Sequence, residues 1–267
     1  MTQPVLARHH VQLSGQGKTP LIFAHGFGCD QQIWHRVIPA FEADYRIVLF
    51  DHVGCGRSEL SAYDAGRHGS LEGYARDLLE LCDALGLEQA TLVAHSVAGA
   101  IGMLAAIDQP ERFRQLIAIG PSPCYVNDGD YKGGFEPADI RALLDMMERN
   151  HVEWAGHLAP LVMDNPHRPE LAEDLRQRFA AAEPAISRRF AEVTFMSDIR
   201  ARLPRVTVPT SILYCDTDAV VPLSAIEYLG RHLPRCRLHR LPASGHYPHL
   251  SHPDAVIAAL RQELAAV

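Results

Sequence analysis

The stretch at residues 90–102, A-T-L-V-A-H-S-V-A-G-A-I-G, constrains the chain more than any other. It reads as a short apolar strand, a one-residue corner at Ser96 and a helix of small residues. Such a corner forces its residue into a strained backbone conformation and leaves the side chain exposed above the strand. Residues two positions to either side must be small, or they collide where strand becomes helix. Here they are Ala94 and Ala98, where the G-x-S-x-G pattern of a nucleophile elbow has glycines. Gly99 and Gly102 let the helix lie close to the strand. A serine at a strand–helix junction is also an ordinary structural feature, so the rest of the chain has to decide.

A strand followed by a helix implies a parallel partner, and the flanking segments supply several. Residues 21–24 form a short apolar run leading into His25-Gly26-Phe27-Gly28, a loop of the kind that aims backbone N–H groups at a ligand. Residues 5–13 have strand-like apolar content, and residues 33–41 look helical. Residues 46–50 read as another strand, ending in the glycine-rich loop D-H-V-G-C-G-R-S-E at 51–59. That loop lacks the third glycine and the helix start of a dinucleotide or phosphate site, so it reads as a tight loop packed beside the active site. Residues 71–85 carry a helical apolar stripe that Gly86 ends. Residues 115–119 form the next strand.

The alternation of strand and helix predicts a mostly parallel sheet with helices on both faces. It then lapses for roughly 75 residues, too many for a bare loop. Four helical stripes fill the gap: Ile140 to Met147, Trp154 to Val162, Leu171 to Phe179, and Ile186 to Val193. Pro137, Pro169 and Pro184 sit where helices start. The expected organisation is a core in two parts, 1–122 and 198–267, with a four-helix lid at 123–197 over the carboxyl ends of the strands. The rhythm resumes with a strand at 209–214, a helix at 224–232, a strand at 237–241 and a closing helix at 255–264.

Three residues of complementary chemistry fall in loops after parallel strands: Ser96, then Asp218 or Asp216, then His246. Such loops share one edge of the sheet. A serine hydroxyl is a poor nucleophile until a base takes its proton, and histidine, with an ordinary pKa near ~6.5, can do so near neutrality. A carboxylate on the other ring nitrogen fixes the tautomer and stabilises the imidazolium. Asp218 is the better candidate, because it precedes V-V-P in the loop while Asp216 sits at the strand end. His246 follows Gly245, whereas His249 lies deeper towards the last helix.

Composition excludes several alternatives. A net charge of −7 argues against a phosphate-tracking groove and hence against nucleic acid. No run of ~18 apolar residues predicts a membrane span, and residues 1–10 lack a signal core. Six scattered cysteines without C-x-x-C are read as reduced, which predicts a cytoplasmic protein. The fifteen histidines show no metal-ligand spacing, so no metal or cofactor is expected.

Taken together, H-G-F-G-C-D, D-x-x-G-x-G-x-S, H-S-V-A-G, G-P-S-P-C-Y, G-G-F-E, S-D-I-R and G-H-Y-P-H-L-S-H-P resemble the RsbQ group of α/β-hydrolases, which includes a bacterial energy-stress regulator and the plant strigolactone and karrikin receptors. The resemblance spans nearly the whole chain. It implies the α/β-hydrolase fold, with Ser96 as nucleophile, His246 as base and Asp218 as third member. It further implies the Phe27 and Val97 N–H groups as oxyanion hole, and a small hydrophobic pocket near Phe27, Phe135, Trp154 and Phe195. His95, beside the nucleophile, joins the expected substrate-binding set. Ala94 and Ala98 depart from the group's pattern. Two functions follow as expectations: a serine hydrolase of a small hydrophobic ester or lactone, or a ligand-binding regulator of a PAS-containing phosphatase with slow hydrolysis. A cofactor-free haloperoxidase would use the same triad. Haloalkane dehalogenases and epoxide hydrolases need Asp at position 96.

Overall fold

The apolar runs assemble into one seven-stranded sheet. The computed structural model describes residues 2–266. The strands are β1 (Gln12–Ser14), β2 (Thr19–Ala24), β3 (Tyr45–Phe50), β4 (Ala90–His95), β5 (Phe113–Ile119), β6 (Thr210–Thr217) and β7 (Cys236–Ser244), in the order β1-β3-β2-β4-β5-β6-β7. Only β1 runs antiparallel; β2 to β7 are parallel. All six residues of β4 are buried, as expected of a central strand covered on both faces.

Among the described residues ten α-helices accompany the strands. They are α1 (Thr2–Arg8), α2 (Leu71–Leu85), α3 (Val97–Asp108), α4 (Pro137–Arg149), α5 (His151–Met163), α6 (Pro169–Ala181), α7 (Pro184–Phe195), α8 (Leu223–His232), α9 (Pro248–Ser251) and α10 (Pro253–Ala265). Right-handed crossovers moving one way along the sheet put α2, α3 and α8 on one face. The step from β2 to β3 moves the other way. Its connection lies on the opposite face, where Arg261 of α10 donates to Ala40 O and Arg36 donates to Leu250 O of α9. Helices therefore cover both faces.

Helices α4 to α7 stand between β5 and β6. Pro137, Pro169 and Pro184 each open a helix, because proline's missing N–H costs nothing in a first turn. Two segments differ from the sequence reading. Within residues 5–13 only Gln12 and Leu13 are strand. Val5 to Arg8 belong to α1, which Arg8 ties to Glu80 of α2, a tertiary contact that local apolar content does not announce. Residues 33–41 are not one helix but two 3₁₀ turns, Gln31–Trp34 and Ile38–Ala40. Pro39 lacks the N–H a continuous α-helix would need there. Among the described residues no helix is long and apolar enough to cross a membrane.

Candidate active site

Strand β4 delivers its last residue, His95, to the carboxyl edge of the sheet, and the chain turns at Ser96. Ser96 has φ 55° and ψ −124°, a region a non-glycine residue enters only under constraint. Its N–H donates to Ile119 O of β5 at 2.8 Å, which pins the corner. Ala94 lies in register with Ala24 of β2 and Ala118 of β5, so the row beneath the corner is built of methyl groups. An added Cβ at Gly102 would come within 2.5 Å of Leu92, which explains how α3 lies so near β4.

The three residues of complementary chemistry meet at this corner. His246 Nε2 lies 2.8 Å from Ser96 Oγ, and His246 Nδ1 lies 2.7 Å from Asp218 Oδ2. The other carboxylate oxygen, Asp218 Oδ1, accepts the N–H groups of Val220 and Val221 at 2.8 and 3.1 Å, which orients it. Because a carboxylate only accepts, Nδ1 carries the proton and Nε2 offers its lone pair to the serine hydroxyl. Asp216 is elsewhere: it pairs with Arg240 on the surface. His249 is buried without touching Ser96. Its nitrogens have no partner among the described residues, and burial, with the charges of His246, Arg178 and His35, pushes its pKa down to about 3.

Phe27 follows β2, the strand in register with β4, and Val97 heads α3. Both residues thus stand at the edge where Ser96 turns, and the N–H of Val97, in a first helical turn, has no helical carbonyl to accept it. Tetrahedral oxyanions are stabilised by donors so placed.

Ser96 and His246 open into a cavity of about 350 Å³ roofed by α4, α5 and α7. Phe27, Phe135, Trp154 and Phe195 line it. The Phe27 ring sits 5.9 Å from those of Trp154 and Phe195, and Phe135 lies 5.9 Å from Phe195. His95 does not line it. That ring is fully buried, turned behind the strand end toward the segment carrying His246, because successive strand residues point to opposite sides. The sequence reading missed Phe179 and Tyr247 among the lining residues. Phe179 belongs to an expected apolar stripe, but the pattern alone does not tell which end of a stripe faces a cavity. A second, more polar cleft of about 700 Å³ lies on the far side of Phe27, away from Ser96. The glycine-rich loop borders that cleft rather than the serine. Asp51 holds the loop closed by accepting the N–H groups of Gln31 and Arg57, both at 2.8 Å.

Among the described residues no cluster of His, Cys, Asp and Glu could hold a metal ion. All six cysteines are unpaired. Burial pushes the Cys29 and Cys82 thiols up to about 12, so they stay protonated and inert.

Comparison with known proteins bears on the family and the fold. The profile of the alpha/beta hydrolase family matches residues 21–259. A strigolactone esterase from Arabidopsis thaliana is 38% identical over 261 residues, covering 97% of this chain and 97% of that protein. A karrikin insensitive 2 receptor from Petunia hybrida is 34% identical over 257 residues, covering 96% of this chain and 95% of that protein. Among solved structures, a hydrolase from Oleispira antarctica superposes with a TM-score of 0.96 at 34% identity, covering 99% of this chain and 97% of that one.

Proposed function

The chain belongs to the alpha/beta hydrolase family, and on that premise we propose that it is a serine hydrolase of small hydrophobic esters or lactones. The observation carrying this reading is the continuous hydrogen-bonded line from Asp218 through His246 to Ser96 at the mouth of an apolar cavity. In the proposed cycle His246 Nε2 takes the Ser96 proton as Oγ attacks the ester carbonyl. The Phe27 and Val97 N–H groups receive the developing oxyanion. The imidazolium, stabilised by Asp218, returns the proton to the leaving alkoxide. Water then enters the same way and releases the acid from Ser96. For a lactone the leaving oxygen stays tethered to the acyl group throughout, and the second step releases a single hydroxy acid from Ser96.

The cavity supports the substrate class. At about 350 Å³ it lies near the lower end of small-molecule sites, which run from about 300 to 1,000 Å³. Its walls are aromatic and aliphatic, so shape and apolar surface would select the ligand. In this reading residues 123–197 act as the lid over a core formed by 1–122 and 198–267. The unpaired cysteines fit the reducing cytoplasm expected from the sequence.

A second reading draws on the resemblance to the RsbQ group, beside the similarity to a protein named as a karrikin insensitive 2 receptor. In it the same pocket binds a small apolar molecule and turns it over slowly, and the protein then activates a PAS-containing phosphatase. The two readings separate on rate: a hydrolase turns over short p-nitrophenyl esters many times, whereas a receptor stalls after about one turnover per site.

The test of the chemistry is Ser96→Ala. It should abolish turnover of p-nitrophenyl acetate and labelling by a serine-directed fluorophosphonate while leaving the melting temperature near that of the wild type. Loss of a triad member typically costs several orders of magnitude, about 10⁶ in one well-studied protease. Near wild-type turnover in the variant removes Ser96 from the role.

A further inference from the structure

His95 stands directly before Ser96, yet its side chain leaves the cavity and enters the protein, where it is fully buried. Its Nε2 lies 2.8 Å from the carbonyl oxygen of His246. A carbonyl only accepts, so Nε2 carries the proton and Nδ1 the lone pair. Nδ1 has no partner among the described residues, so this bond is the only one the ring makes there. Burial, with His249 and His246 nearby, holds the imidazole well below its ordinary pKa, and the ring is a neutral donor.

The opposite edge of the ring rests on Gly26. A Cβ at position 26 would sit 2.6 Å from His95 Nδ1, so any side chain there would push the ring off its seat. Gly26 precedes Phe27. One imidazole therefore meets the segment before the nucleophile, the segment before an oxyanion donor, and the backbone of the base itself. The peptide groups of His246 are held on both sides: its N–H donates to Val162 O at 2.8 Å, and its carbonyl accepts from His95. Asp218 holds the ring.

We propose that His95 is a positioning residue, which fixes the backbone of His246 so that Nε2 faces Ser96 Oγ. The inference rests on the triad reading above. It differs from an ordinary buried histidine, which would contribute packing alone. A base displaced by about 1 Å loses on the order of 10²-fold in rate, so a single backbone hydrogen bond at this point carries catalytic weight. The same bond explains why a polar ring occupies a site otherwise suited to an apolar one.

The experiment compares His95→Gln with His95→Met. The two side chains are similar in length, but only glutamine offers an N–H at the reach of His95 Nε2. With p-nitrophenyl butyrate, His95→Met should lower kcat by about 10- to 100-fold with KM within twofold of wild type. His95→Gln should recover most of the loss. Proton NMR gives a second readout independent of turnover. The low-field resonance of the His246 Nδ1 proton, bonded to Asp218, should be sharp in the wild type and in His95→Gln, and broadened or lost in His95→Met. If Ser96→Ala keeps its turnover the triad reading fails, and the resonance alone then decides whether His95 holds the His246 peptide. Should His95→Met fail to fold, His95→Leu replaces it. Three results overturn the proposal: wild-type kcat in the variant lacking the donor, glutamine no better than methionine, or an unchanged resonance. A variant that melts earlier but keeps kcat and the resonance assigns His95 to packing and overturns it too.

Discussion

The backbone N–H of His246 donates to the carbonyl of Val162 across 2.8 Å. Val162 lies in the last turn of α5, where carbonyls have run out of helical donors. An inserted helix thus ends by anchoring the segment that carries the proposed base. Neighbouring bonds reinforce the seam. Thr217 Oγ1 donates to Asp164 Oδ2 at 2.8 Å, Ser244 Oγ to Asp164 O at 3.1 Å, and Asn165 Nδ2 to Ser244 O at 3.4 Å. The insert and the core therefore meet next to the edge that carries Ser96 and His246, and a change at the seam should be felt in the proposed chemistry.

Gly245 makes that seam possible. Its φ is +83°, and a Cβ there would lie 2.1 Å from Met163 O. Gly245→Ala should destabilise the protein by at least the ~1–2 kcal/mol that a left-handed conformation costs an L-residue. It should also lower kcat, because α5 and the His246 segment must move apart. Thermal melting and steady-state kinetics measure the two effects. A variant that melts earlier with unaltered kcat would show that the seam and the base are independent.

The two aspartates near the end of β6 should behave differently. Asp218→Asn leaves a carboxamide beside His246 Nδ1, and in a well-studied protease the equivalent change costs about 10⁴ in kcat through the wrong tautomer. Asp216 pairs with Arg240 in solvent, and exposed pairs contribute about 0–1 kcal/mol. Asp216→Asn should therefore leave both kcat and melting temperature close to wild type. Comparable losses in the two variants would sink the assignment of Asp218.

Much of this arrangement was legible in the sequence because local rules carried it. The corner at Ser96 follows from a strand abutting a helix of small residues. Pro137, Pro169 and Pro184 mark helix starts whatever the tertiary context. The convergence of Ser96, Asp218 and His246 follows from parallel strands sharing one edge. What stayed hidden depends on contacts distant in sequence. Helix α1 is tied to α2 through Arg8 and Glu80. The break at Pro39 divides a segment whose apolar pattern reads as one helix. The direction of the His95 ring is set by a carbonyl 151 residues away, so adjacency to Ser96 suggested the pocket wrongly.

The buried histidines should make the protein sensitive to acid. Burial lowers the pKa of His52 and His95 well below the ordinary value, and that of His249 to about 3. Below ~6.5 the unfolded chain takes up protons that these folded rings refuse. Stability is thus full above that pH and falls as pH drops toward the folded values, by up to about 1.4 kcal/mol per pH unit for each ring. His249 lies 4.6 Å from the Trp34 ring with no polar partner among the described residues, so phenylalanine suits its place. The gap in melting temperature between His249→Phe and wild type should widen in favour of the variant from pH 7.5 to pH 4.5. A constant gap would mean that His249 is protonated in the folded protein.

The cavity aromatics give the last prediction. Trp154 is fully buried, with its ring 5.9 Å from Phe27 and 5.3 Å from Phe179, and it forms part of the cavity wall. Removing it does two separable things. It costs about 3–5 kcal/mol of stability, as large-to-small changes of buried aromatics do. It also lengthens the space in front of Ser96. Each additional methylene that the space accepts contributes about 0.8 kcal/mol, or about fourfold in kcat/KM. The wild type should therefore prefer acetyl and butyryl over octanoyl p-nitrophenyl esters, and Trp154→Ala should move the optimum toward the longer chain. Phe195→Leu, a gentler change on the neighbouring wall, should shift it in the same direction with less loss of stability. The packing alternative makes the opposite prediction, since residues that only hold helices together change melting temperature and leave selectivity alone. An unaltered order of preference in both variants would therefore reject these rings as the gauge of substrate length, even if both proteins melt earlier.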